Sequence, residues 1–126
     1  MNIPPLLQEH VEELEKKRKL DIRITAASEI YIVLKNYQIP RSIWNRDRVD
    51  ILVITHPTYP NAKMDMFWVD PHISLKNGSS PGGVSPDSRC GREWQRFSWH
   101  VKDWSPAHDN LITYLDVVDY RLRQNR

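Results

Sequence analysis

Three runs of β-branched and aromatic residues follow one another in the middle of the chain, and they restrict the fold more than any other feature. They cover residues 30–34, 49–54 and 64–69. Side chains of these types favour extended strands, and a proline follows each run. Because the links between the runs are short, we predict that consecutive strands pair antiparallel as a meander. Residues 23–25 predict a shorter strand ahead of them.

A helix is predicted on each side of these strands. Residues 5–20 carry apolar side chains at helical spacing, with acidic residues early and lysines late, an order that complements the helix dipole. The last helix begins either after Ser105-Pro106 or at the alternative caps Asp109 and Asn110. The order of helix, strands, loop and helix predicts an α+β fold whose helices are segregated from an antiparallel sheet. The apolar stripe of the last helix consists of Leu111, Leu115, Val118 and Leu122.

A long irregular segment separates the strands from the last helix. Residues 76–89 contain three Gly, two Pro and four Ser and show no periodicity. With the chain on either side, they predict a functional loop over about residues 75–104, because connections this long in compact domains are usually functional or disordered. Cys90, the one cysteine of the chain, lies inside this loop. Large amphipathic rings suit the anchoring of irregular backbone, so we interpret three tryptophans as tethers of the loop: Trp94, Trp99 and Trp104.

The bulk properties predict one soluble cytoplasmic domain covering residues 1–126. A chain of 126 residues has the length of a single domain, and a lone cysteine, which cannot form an internal disulfide, favours a reducing compartment. The sequence shows neither an apolar run of roughly 20 residues, as a bilayer span requires, nor the pattern of a signal peptide. The five histidines lack the spacings of zinc sites, and nucleotide-binding motifs are missing, so we predict no metal and no cofactor.

Three local motifs are arranged along these predicted elements. Tyr59-Pro60 lies between the second and third runs, and residues 65–68 lead into Asp70-Pro71. Residues 91–100 are then followed by Trp104-Ser105-Pro106. In this order the motifs resemble the divergent prokaryotic group of the ubiquitin-conjugating (UBC-fold) family, over nearly the whole chain. The resemblance implies a UBC-like fold with an N-terminal helix, an antiparallel meander of three to four strands, a long active-site loop and a C-terminal helix.

The resemblance also implies a role in a bacterial ubiquitin-like modification pathway. Members of this group are encoded beside ubiquitin-like proteins, activating enzymes and isopeptidases, which are therefore the implied partners. Cys90 would accept a ubiquitin-like protein as a thioester and transfer it to an amine, because a thiolate attacks and leaves well. Arg89 and Arg92 are expected to favour the thiolate, and His100 is the expected general base or carbonyl-polarising group. The basic residues 16–19 would form the docking surface for the activating enzyme.

Several alternatives stay open at this point. Classical conjugating enzymes carry a His-Pro-Asn tripeptide shortly before the cysteine, and this sequence has no match to it. The alternative function is therefore an inactive scaffold that binds the ubiquitin-like protein or its activating enzyme without covalent chemistry. Cys90 has the alternative of a small buried hydrophobic residue, and His100 that of a histidine that pins the loop. Nucleic-acid binding would rest on a basic tail alone, which consists of Arg121, Arg123 and Arg126.

Overall fold

The structure, a computed structural model, describes residues 3–126 as two helices and six strands. Neither of the described helices is long and apolar enough to cross a membrane. In chain order the elements are α1 (Pro5–Arg18), β1 (Asp21–Ala26), β2 (Ile30–Gln38), β3 (Arg48–Thr55), β4 (Phe67–Asp70), β5 (Val84–Arg89), β6 (Arg92–Phe97) and α2 (Leu111–Leu122).

The six strands form one sheet in the order β1-β2-β3-β4-β6-β5, and all neighbours are antiparallel. Both helices pack on one face of this sheet, which we call the inner face, and their apolar stripes form the main core with it. Along each strand every second side chain points to that face. The opposite, outer face carries a second, smaller cluster of buried residues, Leu52, Trp68 and Trp94. The prediction of an α+β fold with helices segregated from an antiparallel sheet is confirmed.

The predicted first helix and central strands are present, with small shifts at their ends. Helix α1 buries Leu7, Val11 and Leu14, and Lys19 ends it in the left-handed conformation with φ 53°. Strand β2 continues beyond the predicted run, through a bulge at Asn36. Strand β4 starts later than predicted because Met66, with φ 60°, interrupts the extended backbone just before it.

The prediction of a continuous loop over residues 75–104 is wrong, because β5 and β6 lie within it as a hairpin. Strand β6 alternates between the faces, with Trp94 outward and Phe97 in the main core. Strand β5 contains Pro86, which a ladder tolerates at the edge of a sheet, and β5 is an edge strand. The sheet therefore has six strands, more than the expected three to four.

Helix α2 begins at Leu111, and its N-cap is Asn110. The Asn110 side chain accepts the backbone N–H groups of Ile112 and Thr113, and the Thr113 hydroxyl accepts the Asn110 N–H in return. The start at Ser105 is wrong because Ser105 belongs to a separate turn, in which its N–H donates to the Asp109 carboxylate. The alternative cap at Asn110 is confirmed.

Candidate active site

Cys90 and Gly91 form the two-residue turn that joins β5 to β6. Their φ angles are 54° and 68°, and the flanking Arg89 and Arg92 are paired across the hairpin. Two left-handed residues in succession define a type I′ turn, whose usual occupants are Asn and Gly. The thiol of Cys90 is exposed. The alternative of a buried structural cysteine is therefore wrong, and the sulfur lies where a partner chain has access to it.

The hairpin leans over the outer face of the sheet. The Arg89 guanidinium lies 5.3 Å from the ring centroid of Trp68 and 3.9 Å from the Glu29 carboxylate, just ahead of β2. On the same side, Asp87 accepts hydrogen bonds from Trp68 Nε1 at 2.9 Å and Arg89 Nε at 3.1 Å. These two donors, Trp68 first, lower the pKa of Asp87. The contacts hold the β5 side of the turn against the sheet.

Arg92 fixes the other side of the turn. Its Nε donates to Asp70 at 2.6 Å, its Nη2 donates to Asp50 at 2.7 Å, and its guanidinium lies 4.3 Å from the ring centroid of Trp94. Asp50 also accepts from Lys35 Nζ at 3.0 Å. Burial acts to raise the pKa of Asp50, but the hydrogen bonds, that of Arg92 foremost, outweigh it and lower the pKa.

These ion pairs change the electrostatic expectation for the thiol. Arg89 is engaged by Asp87 and Glu29, and Arg92 by Asp50 and Asp70, so each flanking cation faces two carboxylates. A cation compensated in this way supplies little net positive potential to its surroundings. The two arginines therefore serve chiefly to orient the turn.

Tyr31 on β2 shares the Glu29 carboxylate with Arg89. Its hydroxyl donates to Glu29 at 3.2 Å. Burial first, then Glu29, raises the pKa of Tyr31. Through Glu29, Tyr31 is linked to Arg89 on the β5 side of the turn, and it stays a neutral hydrogen-bonding group at physiological pH.

His100 lies beyond the other end of β6. Its Nδ1 is 2.8 Å from Asp65 Oδ2, and Asp65 Oδ1 accepts the N–H of Val101. The six residues of β6, which span about 17 Å at ~3.4 Å per residue, separate this pair from the turn at Cys90. The expectation that His100 acts on the Cys90 thiol gains no support from this placement, because β6 lies between the two residues.

Trp104 anchors the segment over residues 98–110, as the tryptophan pattern predicts. Trp104 Nε1 donates to the Pro60 carbonyl at 2.8 Å, and its ring packs edge-on against Tyr114. Trp94 is part of a strand instead, where its Nε1 donates to the Arg89 carbonyl. Trp99 contacts arginines near the end of the chain.

The sequence pattern singled out Cys90 but not the residues that surround its turn. Asp50 and Asp70, which bind Arg92 at the turn, come from two different strands that strand register places side by side. A signal was available for one of them, since Asp70 directly precedes a proline in a motif already singled out. The partnership of Asp50 with Arg92 has no local sequence signal, because 42 positions separate the two residues.

The fold and this site define a class of protein: a two-layer α+β domain with an exposed thiol on a fixed hairpin turn. Comparison with protein families identifies the family: the family model described as prokaryotic E2 family E matches residues 6–125. The chain therefore belongs to this prokaryotic E2 family, as its motifs predict. The curated proteins and the solved structures compared with the chain gave no match.

Proposed function

We propose that this protein is the carrier of a bacterial ubiquitin-like modification pathway. It accepts the C-terminus of a ubiquitin-like protein on Cys90 from an activating enzyme and passes it to an amine. Family membership supports the E2-like role. We choose Cys90 as the reacting residue on a single observation. Its thiol is exposed at a turn that two arginines hold in place.

The turn conformation supports a role for this residue beyond structure. A side chain with a Cβ in the left-handed region raises the free energy of the folded state by about 1–2 kcal/mol. Asn or Gly would form the same turn at lower cost, and the sulfur of Cys90, which is exposed, contributes no core packing in return. An exposed residue in this strained conformation is a candidate for the reacting group.

The chemistry at Cys90 is a pair of acyl transfers. In the first, the Cys90 thiolate attacks the thioester carbon carried by the activating enzyme; a new C–S bond forms, and the enzyme's sulfur leaves as a thiolate. In the second, an amine attacks the Cys90 thioester; a C–N bond forms, Cys90 leaves as a thiolate, and the amine proton passes to solvent. A thiolate suits both steps as nucleophile and leaving group. His100 is assigned no part in either step because of its position beyond β6.

A reconstitution experiment tests this function. The protein is incubated with an activating enzyme and a ubiquitin-like protein from the same genome, together with ATP, and the mixture is separated on a non-reducing gel. We expect an adduct of both proteins that thiol reductants cleave and that Cys90→Ala abolishes. His100→Gln serves as the matched control, and the adduct should form at an unchanged rate in that variant. Absence of any adduct, or an adduct that persists in Cys90→Ala, contradicts the proposal.

A second candidate function is a scaffold that binds the ubiquitin-like protein without covalent chemistry. The observation that favours it is the surroundings of Cys90, where both cations are compensated and the imidazole of His100 lies at the far end of a strand. The scaffold predicts partner binding by calorimetric titration that Cys90→Ala leaves unchanged, together with full pathway activity in that variant. Loss of pathway activity with intact binding would decide for the carrier.

A further inference from the structure

The sheet has two edge strands, β5 and β1, and they differ in how they meet another strand. In β5 the Ser98 N–H donates to the Gly83 carbonyl, so by alternation the backbone nitrogen of Pro86 points away from β6. A proline at that position gives an approaching strand no donor. Strand β1 contains neither a proline nor a bulge, and its six residues pair one-to-one with residues 30–35 of β2. The β1 edge is therefore the open one.

The hydrogen bonds of the β1–β2 hairpin show which backbone groups face this edge. The Ala27 N–H donates to the Glu29 carbonyl at 2.9 Å, where the hairpin closes. Because backbone groups alternate in direction along an antiparallel strand, the odd-numbered residues of β1 bond to β2. The even-numbered residues point their N–H and C=O groups to the edge: Ile22, Ile24 and Ala26. Among residues 3–126, no backbone group of a turn or loop hydrogen-bonds to these three, which makes them a template for another strand.

The side chains of β1 indicate which strand fits this template. Ile22 and Ile24 lie on the inner face with the main core, so Asp21 and Arg23 lie on the outer face. Their side chains are 56% and 73% exposed, and Arg23 Nε donates to Asp21 at 3.1 Å. Opposite charges two positions apart on one face are complementary to the same sequence running in the opposite direction. The charge pattern of the edge therefore matches a second copy of this chain.

We propose that β1 pairs antiparallel with β1 of a second copy about a two-fold axis through Ile22. The two Ile22 residues then exchange both backbone hydrogen bonds, and Asp21 of each copy lies opposite Arg23 of the other. Opposite charges in directly opposed positions stabilise strand pairing. An axis through Arg23 would set the two arginines opposite one another, and an axis through Ile24 would set Arg23 opposite Thr25. Only the axis through Ile22 gives pairs of opposite charge, and it joins the two six-stranded sheets into one.

The pair of Asp21 and Arg23 within one chain does not prevent this association. An exposed ion pair contributes little to the stability of the monomer, and a guanidinium has five N–H donors, so Arg23 can bind the carboxylates of both copies. The pairing buries a small area beside one strand, as weak and transient interfaces do. We expect a dissociation constant between about 1 µM and about 1 mM, which rises with salt because the charged pairs are screened.

Sedimentation equilibrium of the whole chain tests the pairing, with reductant present so that Cys90 does not link copies through a disulfide. Asp21→Arg and Arg23→Asp each set like charges opposite one another and should weaken self-association at least about tenfold. An equimolar mixture of the two variants should associate about as tightly as the parent, because each supplies the charge that the other lacks. Lys102→Asp and Asp103→Arg are the matched controls, with the same charge changes at exposed residues outside the sheet and effects below about twofold.

Amide hydrogen exchange locates the interface at single residues. The Ile22 N–H should become more protected as the protein concentration rises, whereas the Arg23 N–H, which bonds to β2, should be protected equally at all concentrations. A chain that stays monomeric up to about 1 mM overturns the proposal and leaves an extended segment of another protein as the occupant of the edge. Self-association that the two charge reversals leave unchanged, that their mixture does not restore, or that the controls weaken equally also overturns it.

Discussion

The hydroxyl of Tyr59, in the Tyr59-Pro60 motif, is predicted to stabilise the start of helix α2. The residue is only 6% exposed, and its hydroxyl accepts the Leu111 N–H at 2.6 Å and hydrogen-bonds His10 Nδ1 at 2.7 Å. The hydroxyl thus satisfies the first N–H of α2 and connects it to α1. Burial raises the pKa of Tyr59 to about 12, so the hydroxyl is protonated at neutral pH.

The change Tyr59→Phe removes the hydroxyl and keeps the ring. Leu111 is fully buried, so its N–H would be left without an acceptor, and an orphaned buried donor costs about 1–3 kcal/mol. His10 is partly exposed and can turn to water instead, so we add nothing for it. We therefore expect the free energy of unfolding to fall by about 2 kcal/mol, which corresponds to roughly 6–10 °C in Tm for a chain of this size.

Urea unfolding followed by circular dichroism measures this change. Tyr120→Phe is the matched control, since Tyr120 lies on α2 with 64% of its surface exposed and should lose less than about 0.5 kcal/mol. If Tyr59→Phe were as stable as that control, the hydroxyl would not be the acceptor that helix α2 depends on. Tyr59 would then contribute to stability through its ring alone.

Three further predictions concern the cap, acid stability and the turn. Asn110→Ala should lower the free energy of unfolding by about 1 kcal/mol through loss of the N-cap, measured in urea. Burial acts to raise the pKa of Asp119, but hydrogen bonds from Arg123 and Tyr37 outweigh it and lower the pKa. Because the pKa is lower in the folded than in the unfolded state, the ionised Asp119 carboxylate stabilises the fold at pH values above its unfolded pKa of about 3.9. This contribution is lost as the pH falls through the lower, folded-state pKa. Asp119→Asn should therefore make stability decline less steeply in acid. Cys90→Asn should raise stability by about 0.5 kcal/mol, because Asn tolerates the left-handed turn better.

Each of these expectations has a contrary outcome. An Asn110→Ala variant as stable as the parent would mean that another group satisfies the start of α2. An acid unfolding curve that is identical in Asp119→Asn would show that the carboxylate does not gain its hydrogen bonds on folding. A Cys90→Asn variant that is less stable than the parent would indicate that the thiol packs against the protein.

The central strands and both helices were predictable because their signals are local. Runs such as residues 49–54 are apolar and β-branched over their whole length, and the side chains of α1 repeat at helical spacing. Antiparallel order also followed from the sequence, since short links leave consecutive strands little choice.

The hairpin of β5 and β6 was not predictable in the same way. Its turn has Cys and Gly where Asn-Gly would signal a hairpin, and Pro86 argues against a strand unless that strand is known to be at an edge. Edge position is a property of the sheet, and it emerges only after β6 has paired with β4. The exposed thiol could be predicted from its polar neighbours, but its separation from His100 depends on this same pairing.

The reactivity of the Cys90 thiol is the sharpest test of the proposed carrier role. Cys90 is the one cysteine of the chain, so the rate of its reaction with a disulfide reagent such as 5,5′-dithiobis(2-nitrobenzoate) reports on that sulfur alone. A solvent-accessible turn predicts a rate in native buffer within a few-fold of the rate in 6 M guanidinium, corrected for the denaturant's effect on a free thiol. Protection by two orders of magnitude or more in the native protein would place the sulfur out of reach of any acyl donor and contradict the carrier role.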